Sequence, residues 1–315
     1  MKTYFCDTET HGLYGEIALF QYIDKKAKKA TIIEYPDPQW LADFIQKNHT
    51  VWYNASYDLG TVTYQANMSL GLEYKFEDLF YAGRTAYPEF PKYTLDIFHD
   101  RLGMSFYDPN IDKKKMQKSF ATAVAKKARK ATPEQLAYAE ADVLTLRKMW
   151  KDKKIKRVIK DNAAYALDIE SLHYSLIYQR NGIPVDREAL VKERAKLVDR
   201  IANNKDYLGG INAQSPKQCM AALKTKSTDK ETLVRLISKG NKLAKVIYEQ
   251  RRLLKADKML SKWDHDKVYT FFNPAGTVTG RFSASGGDNI PAHVNTQQIS
   301  RQYQYMFHST NKKRG

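Results

Sequence analysis

An α/β fold at the start of the chain, followed by a mostly helical region and a short β-rich end, is predicted by three observations. Up to about residue 150, short β-rich segments alternate with helical patterns. From 161 to 263, basic stretches of helical character dominate. After Val268 the chain regains β character and several glycines.

Taken in order, residues 3–7 alternate weakly and predict a strand that ends at the first acids. Residues 17–22 and 31–35 flank the polar turn 24–29 and predict a hairpin. Residues 38–46 place Leu41, Phe44 and Ile45 on one side of a short helix. Residues 51–53 predict a strand running directly into Asn54. Thr132-Pro133-Glu134-Gln135 predicts a helix start, because Thr caps, Pro suits the first helical position and Gln completes a capping box. That helix runs to about Met149, and Tyr138 and Asp142, four apart, share one of its faces. The basic stretch 151–160 predicts a domain junction. Helical patterns over 161–201 break at Asn181-Gly182-Ile183-Pro184. Gly209-Gly210 marks a turn, after which Ser215 caps a helix that Pro216 opens. A last long helix is predicted over 242–263, apolar at Leu243, Val246, Ile247, Leu253, Leu254 and Leu260. The expected domains are 1–155, 156–265 and 266–315.

The 315 residues, 43% hydrophobic, suffice for two domains with buried cores. No apolar run of membrane-spanning length and no signal-peptide core occur. Cys6 and Cys219 are the only cysteines, so no disulfide framework is supported and a reducing, cytoplasmic setting is expected. The net charge is +17 and uneven. Residues 1–110 hold 10 Lys/Arg against 15 Asp/Glu, whereas 111–315 hold 42 against 20. An acidic start beside a basic remainder favours nucleic acid as partner.

Four acids stand out within the first half. Asp7 and Glu9, two apart on a strand, share a face. Asp58 follows Asn54 at the start of a helix, and Asp142 lies one turn after Tyr138. Four ionised acids brought together repel one another and raise one another's pKa values. Two divalent cations that prefer oxygen, Mg²⁺ or Mn²⁺, relieve that repulsion. Such a pair activates water at a phosphodiester and neutralises the leaving 3′ oxygen, which points to a nuclease. Tyr138, with an ordinary pKa near 10, suits water positioning rather than proton abstraction.

At these residues the chain resembles the DEDDy 3′–5′ exonucleases, the proofreading group of the ribonuclease H-like class. Asp7-Thr8-Glu9, Asn54 with Asp58, and Tyr138 with Asp142-Val143 match its three motifs. The resemblance covers about 1–150. It implies metal ligation by Asp7, Glu9, Asp58 and Asp142, and water orientation by Tyr138. It also implies substrate contact from Asn54 and a wedge against the terminal base from Leu13. Tyr93-Thr94-Leu95-Asp96, leading to Leu102-Gly103, looks like the segment before the third motif in polymerase-linked members.

The second half is similar to the thumb of family A DNA polymerases, the bacterial DNA polymerase I type. Asn181 to Asp186 resembles its opening, and Ile211 to Gln218, with Lys217, its tip. Residues 245–258, with Tyr248, Arg251, Arg252 and Lys255, resemble its long helix. Thr279-Gly280-Arg281-Phe282-Ser283, with Asn295 to Gln298 and Arg301, resembles the start of the palm. This implies DNA contacts from Lys217, Arg251, Arg252, Lys255, Arg281 and Ser283, with Gly286-Gly287 allowing close backbone approach. Two departures appear. Gly286 to Pro291 replaces a shorter family spacing, and Ser300 stands where proline is usual. Asp288 is the only acid after Asp266, so two palm carboxylates cannot come from this region.

The expectation is therefore a phage-type exonuclease–thumb portion of a family A polymerase, split or truncated before its catalytic palm. Its partners would be a single-stranded 3′ end, primer–template duplex and a second chain carrying palm and fingers. Two rivals are a ribonuclease D-like exoribonuclease, separated by RNA preference, and a non-catalytic DNA-binding subunit, separated by metal binding.

Overall fold

The structure is a computed structural model, and it describes residues 1–12, 15–71, 73–103, 112–274, 277, 281–285 and 292–307. It divides into two compact units. The first comprises Met1–Gly182, Tyr269–Pro291 and Asn295–Gln297; the second comprises Ile183–Val268, Ala292–Val294 and Gln298–Gly315.

The first unit is built on a five-stranded mixed sheet. Its strands are β1 (Thr3–Thr10), β2 (Ile17–Asp24), β3 (Thr31–Glu34), β4 (His49–Trp52) and β5 (Phe76–Asp78), in the order β3-β2-β1-β4-β5. β1 pairs antiparallel with β2 and parallel with β4, and β5 extends the parallel side. The first five residues of β2 are buried without alternation, the pattern of a strand covered on both faces.

Helices α1 (Pro38–Lys47), α2 (Ala55–Gln65), α3 (Leu79–Ala86), α4 (Leu95–Leu102), α5 (Lys113–Phe120), α6 (Ala123–Ala128), α7 (Pro133–Met149), α8 (Lys153–Asp161) and α9 (Ala163–Asn181) complete the unit with one hairpin, Phe271–Asn273 against Ser283–Ser285. Trp52, Phe5, Phe20, Leu41, Ile45 and Leu59 are fully buried in its core.

Local chemistry sets the ends of these helices. Asp37 accepts the Trp40 amide and Pro38 follows it, which fixes the start of α1. The capping box at Thr132 and Gln135 is present in full at the start of α7.

The basic stretch expected to be a junction is instead α8. Asp152 caps it, and Ile155, Val158 and Ile159 share one face, with Ile155 fully buried. Tyr165 of α9 donates to Glu77 at 2.5 Å and lies 3.2 Å from the Asp78 amide. These contacts tie α8 and α9 to the first unit, whose first segment runs to Gly182.

The second unit packs α10 (Arg187–Tyr207), α11 (Pro216–Leu223), α12 (Lys230–Ser238) and α13 (Lys242–Ser261). Leu190, Leu197, Leu253, Leu260 and Trp263 form one apolar cluster, and Cys219, Leu233, Ala244 and Ile247 another. Arg194 pairs with Asp257 at 3.3 Å, and Arg200 with Glu249, along α10 and α13. Ser215 caps α11 with Pro216 in its first turn. Residues 268–307, expected to be β-rich, contribute the end of a short strand, Lys267–Val268, paired with Ile183–Pro184, the short hairpin, a bridge from Phe307 to Val185 and 3-10 turns among the described residues. No described helix is long and apolar enough to cross a membrane.

Candidate active site

The site begins where β1 outruns its parallel neighbour. β4 pairs only with Thr3, Tyr4 and Phe5, so beyond them that edge of β1 has no strand partner among the described residues. A buried amide left there would need an acceptor. Asp58, in the first turn of α2, supplies it. The Thr8 amide donates to Asp58 Oδ1 at 3.0 Å, and the Thr8 hydroxyl donates to the same oxygen at 2.6 Å.

Asp7 and Glu9 flank Thr8 and take the opposite side of the strand. Asp142, brought by α7, meets them there. One carboxylate oxygen from each of Asp7, Glu9 and Asp142 lies within 4.8 Å of the other two. Asp58 is outside that trio, turned to Thr8, yet its charge still reaches both Asp7 and Glu9.

The surroundings resist ionisation. Burial pushes the Asp7 carboxyl well above the usual carboxylate range, and the Asp58 charge adds to it. Gln21, directly across on β2, donates to Asp7 Oδ2 at 2.6 Å and opposes that rise. Glu9 is raised by burial and then by Asp7, Asp142 and Asp58. Burial lifts Asp58 to about 7 against the two bonds from Thr8. Tyr138 is buried, and its phenol is pushed far above its ordinary value by that burial and by Asp142, Glu9 and Asp7. It therefore stays protonated and can donate a hydrogen bond but cannot act as a base near neutral pH.

These residues fit a hard cation. The donors are all oxygen, they repel one another, and they are poorly solvated. Gln21 is fully buried and its Oε1 has no protein partner, leaving an unmet oxygen beside Asp7.

The remaining expected contacts lie in three places. Leu13, with Gly286 and Gly287, falls outside the described residues. Asn54 is exposed at the start of α2 in a left-handed conformation (φ 63°). Lys217, Arg252 and Lys255 are exposed on the second unit. Arg251, for which a phosphate contact is expected, is half-buried and engaged within the second unit. Its guanidinium donates to Ala213 O at 2.6 Å, Thr228 O at 2.5 Å and Thr228 Oγ1 at 3.1 Å, tying two turns together. Arg281 is exposed and Ser283 half-buried, both at the hairpin.

Four supporting residues are given no role by the sequence motifs. Asp78 is fully buried and accepts the amides of Asn54 (3.0 Å), Ala55 (2.8 Å) and Phe80 (2.8 Å), so it anchors the starts of α2 and α3 together. Burial raises its carboxyl to about 6. An Asp directly before a helical pattern is the signal that could have found it. Tyr57, one residue before Asp58, bonds the Thr10 hydroxyl at 2.5 Å and pins the end of β1. Gln65, two turns on, donates to Gly15 O at 2.7 Å. Gln117 of α5 donates to the Tyr138 hydroxyl at 3.4 Å, a long-range pairing that no local pattern announces.

Residues 4–152 match the family model of the RNase H superfamily, so this region is an RNase H-like domain. No curated protein sequence matches the chain. Among solved structures, the chain resembles the POL domain of Pol1 from M. smegmatis in complex with DNA primer-template and dNTP. The TM-score is 0.59 at 16% identity, over 90% of this chain and 50% of that one. The chain thus spans about half the length of that structure. It also resembles Brucella melitensis NrnC, with a TM-score of 0.42 at 17% identity, over 57% of this chain and 84% of that one.

Proposed function

We propose that the chain is a metal-dependent 3′–5′ exodeoxyribonuclease of the DEDDy type, the proofreading part of a family A DNA polymerase. One observation carries the reading. β1 and α7 deliver Asp7, Glu9 and Asp142 to within 4.8 Å of one another, with Tyr138 one turn before Asp142. The RNase H-like domain supports a nuclease, and the likeness to a polymerase structure over both units is consistent with a proofreading role.

Asp7, Glu9 and Asp142 would hold the cations, with Asp58 close enough to share their charge. When bound, two Mg²⁺ or Mn²⁺ ions supply the positive charge that activates water and offsets the leaving 3′ oxygen. Tyr138, kept protonated, directs its hydroxyl hydrogen at the attacking water. Gln117 occupies a lone pair of that phenol oxygen and so restricts where its proton points. Thr8 holds Asp58, and Gln21 holds Asp7, in fixed orientations before any cation arrives. The exposed cations of the second unit, Lys217, Arg252 and Lys255, would lie along the phosphates of the duplex.

The test is a 5′-labelled primer–template incubated with Mg²⁺ and all four deoxynucleotides and read on a sequencing gel. Stepwise shortening from the 3′ end is the expected result. Extension, internal cleavage, or shortening confined to an RNA strand would overturn the assignment.

A further inference from the structure

Residues 113–130 hold eight Lys/Arg and no acid, in a unit whose first 110 residues carry excess negative charge. This segment forms α5 and α6. Lys114, Lys115, Lys118, Lys126, Lys127 and Lys130 are exposed, and none of them pairs with an acid among the described residues. Runs of charge are commonly just solvated surface, and placement argues otherwise here. Met116 and Phe120, one turn apart, seat α5 in the apolar cluster that also contains Tyr138 and Leu19. Gln117 reaches the Tyr138 hydroxyl. Lys114 and Lys118 are four apart, so they share the helix row beside Gln117 on its solvent side. This basic segment is therefore tied, through Gln117 and Tyr138, to the helix that carries Asp142.

An incoming strand needs such a row. Cations held by the trio offset charge only at the scissile phosphate. Each phosphate behind it would otherwise approach an acidic surface with no counter-charge of its own. We propose that α5 and α6 form a rail for the phosphodiester backbone of the single strand just upstream of its 3′ end, with Lys114 and Lys118 as its first contacts. The proposal rests on the nuclease reading for its position, while its charge readout is independent of cleavage.

The experiment compares the full-length chain with a Lys114→Ala/Lys118→Ala double variant. Alanine preserves helix propensity at both exposed positions. The charge-matched control is Lys28→Ala/Lys29→Ala, two exposed residues in the loop between β2 and β3. Binding of a 5′-fluorescent 15-mer oligothymidylate is measured by anisotropy in Ca²⁺ at several salt concentrations. Loss of two phosphate contacts should reduce the slope of log affinity against log salt by about 1.4. The control should leave that slope unchanged. In Mg²⁺ the double variant should show a severalfold higher KM on the 15-mer and unchanged hydrolysis of thymidine 5′-p-nitrophenyl phosphate, which has no upstream phosphate. An unchanged slope overturns the rail even if cleavage is intact. A reduced slope in a chain that cleaves neither substrate supports the rail and overturns the nuclease reading instead.

Discussion

Replacing Asp58 by Asn should stabilise the metal-free protein at neutral pH while destroying its catalysis. Asp58 Oδ1 alone accepts both bonds from Thr8, and Asn retains that oxygen, so the local geometry survives. What disappears is a charge. The carboxyl ionises near 3.8 ordinarily and at about 7 in the folded chain. Well below pH 3.8 both states are protonated and the group contributes nothing. Between the two values the folded state holds a proton that the unfolded state has lost, so stability falls as pH rises. Above pH 7 the full deficit is present, about 4 kcal/mol at 1.36 kcal/mol per pKa unit. Asn cannot titrate and escapes it. The variant should match the wild type well below pH 3.8 and exceed it by up to that amount at pH 8, a rise in Tm on the order of 10 °C. The assay is urea unfolding in chelator across this range. Hydrogen exchange of β1 and α2 amides is followed in parallel, so that unfolding of the second unit does not enter. Mg²⁺ should restore the wild type and act less on the variant. Parallel pH profiles, or an Asn variant less stable at pH 8, would refute the view that burial strains this carboxylate.

Three further outcomes are expected. Asp142→Ala should abolish 3′ shortening while affinity for a labelled oligonucleotide in Ca²⁺ changes less than about threefold, since the phosphate-binding surface dominates affinity; an equal loss of binding would contradict the division of labour. Tyr138→Phe should slow single-turnover cleavage roughly 10- to 100-fold, a loss smaller than that from general acid–base groups, without altering Mg²⁺-dependent stabilisation; an unchanged rate would remove its positioning role. Asp78→Ala should destabilise the first unit by roughly 2–3 kcal/mol, because it anchors two helix starts, and the loss should show first as faster hydrogen exchange at Asn54 and Ala55; unaltered exchange there would contradict the anchoring.

What is local in this fold is legible in the sequence, and what is distant is not. Thr132, Pro133 and Gln135 declare the start of α7 within four residues, and its length follows, so local geometry alone sets Tyr138 and Asp142 on one face. Asp7 and Glu9 are equally local, since the alternation of a strand decides their common side. α8 is hidden because six of its nine residues are charged, and composition outweighs the apolar triad Ile155, Val158 and Ile159. The charge of Arg251 is legible, while its bonds to two carbonyl-bearing turns 38 and 23 residues away are not. The pairing of Gln117 with Tyr138 depends likewise on tertiary packing of α5.

The placement of Asp58 shows how sheet geometry and chemistry meet at this site. β1 must extend past β4 for Asp7 and Glu9 to clear the core, and that extension leaves the Thr8 amide without a strand partner. A neutral acceptor would satisfy the amide without strain. The chain instead uses a carboxylate that burial raises to about 7. Ionised, that carboxylate would disfavour the metal-free fold, and its charge bears on Asp7 and Glu9. A group that serves only to end a sheet would not be expected to carry that cost. On the proposed function Asp58 would be cation-directed charge that the fold also employs as an edge acceptor, and Asp58→Asn separates the two roles by keeping the second alone.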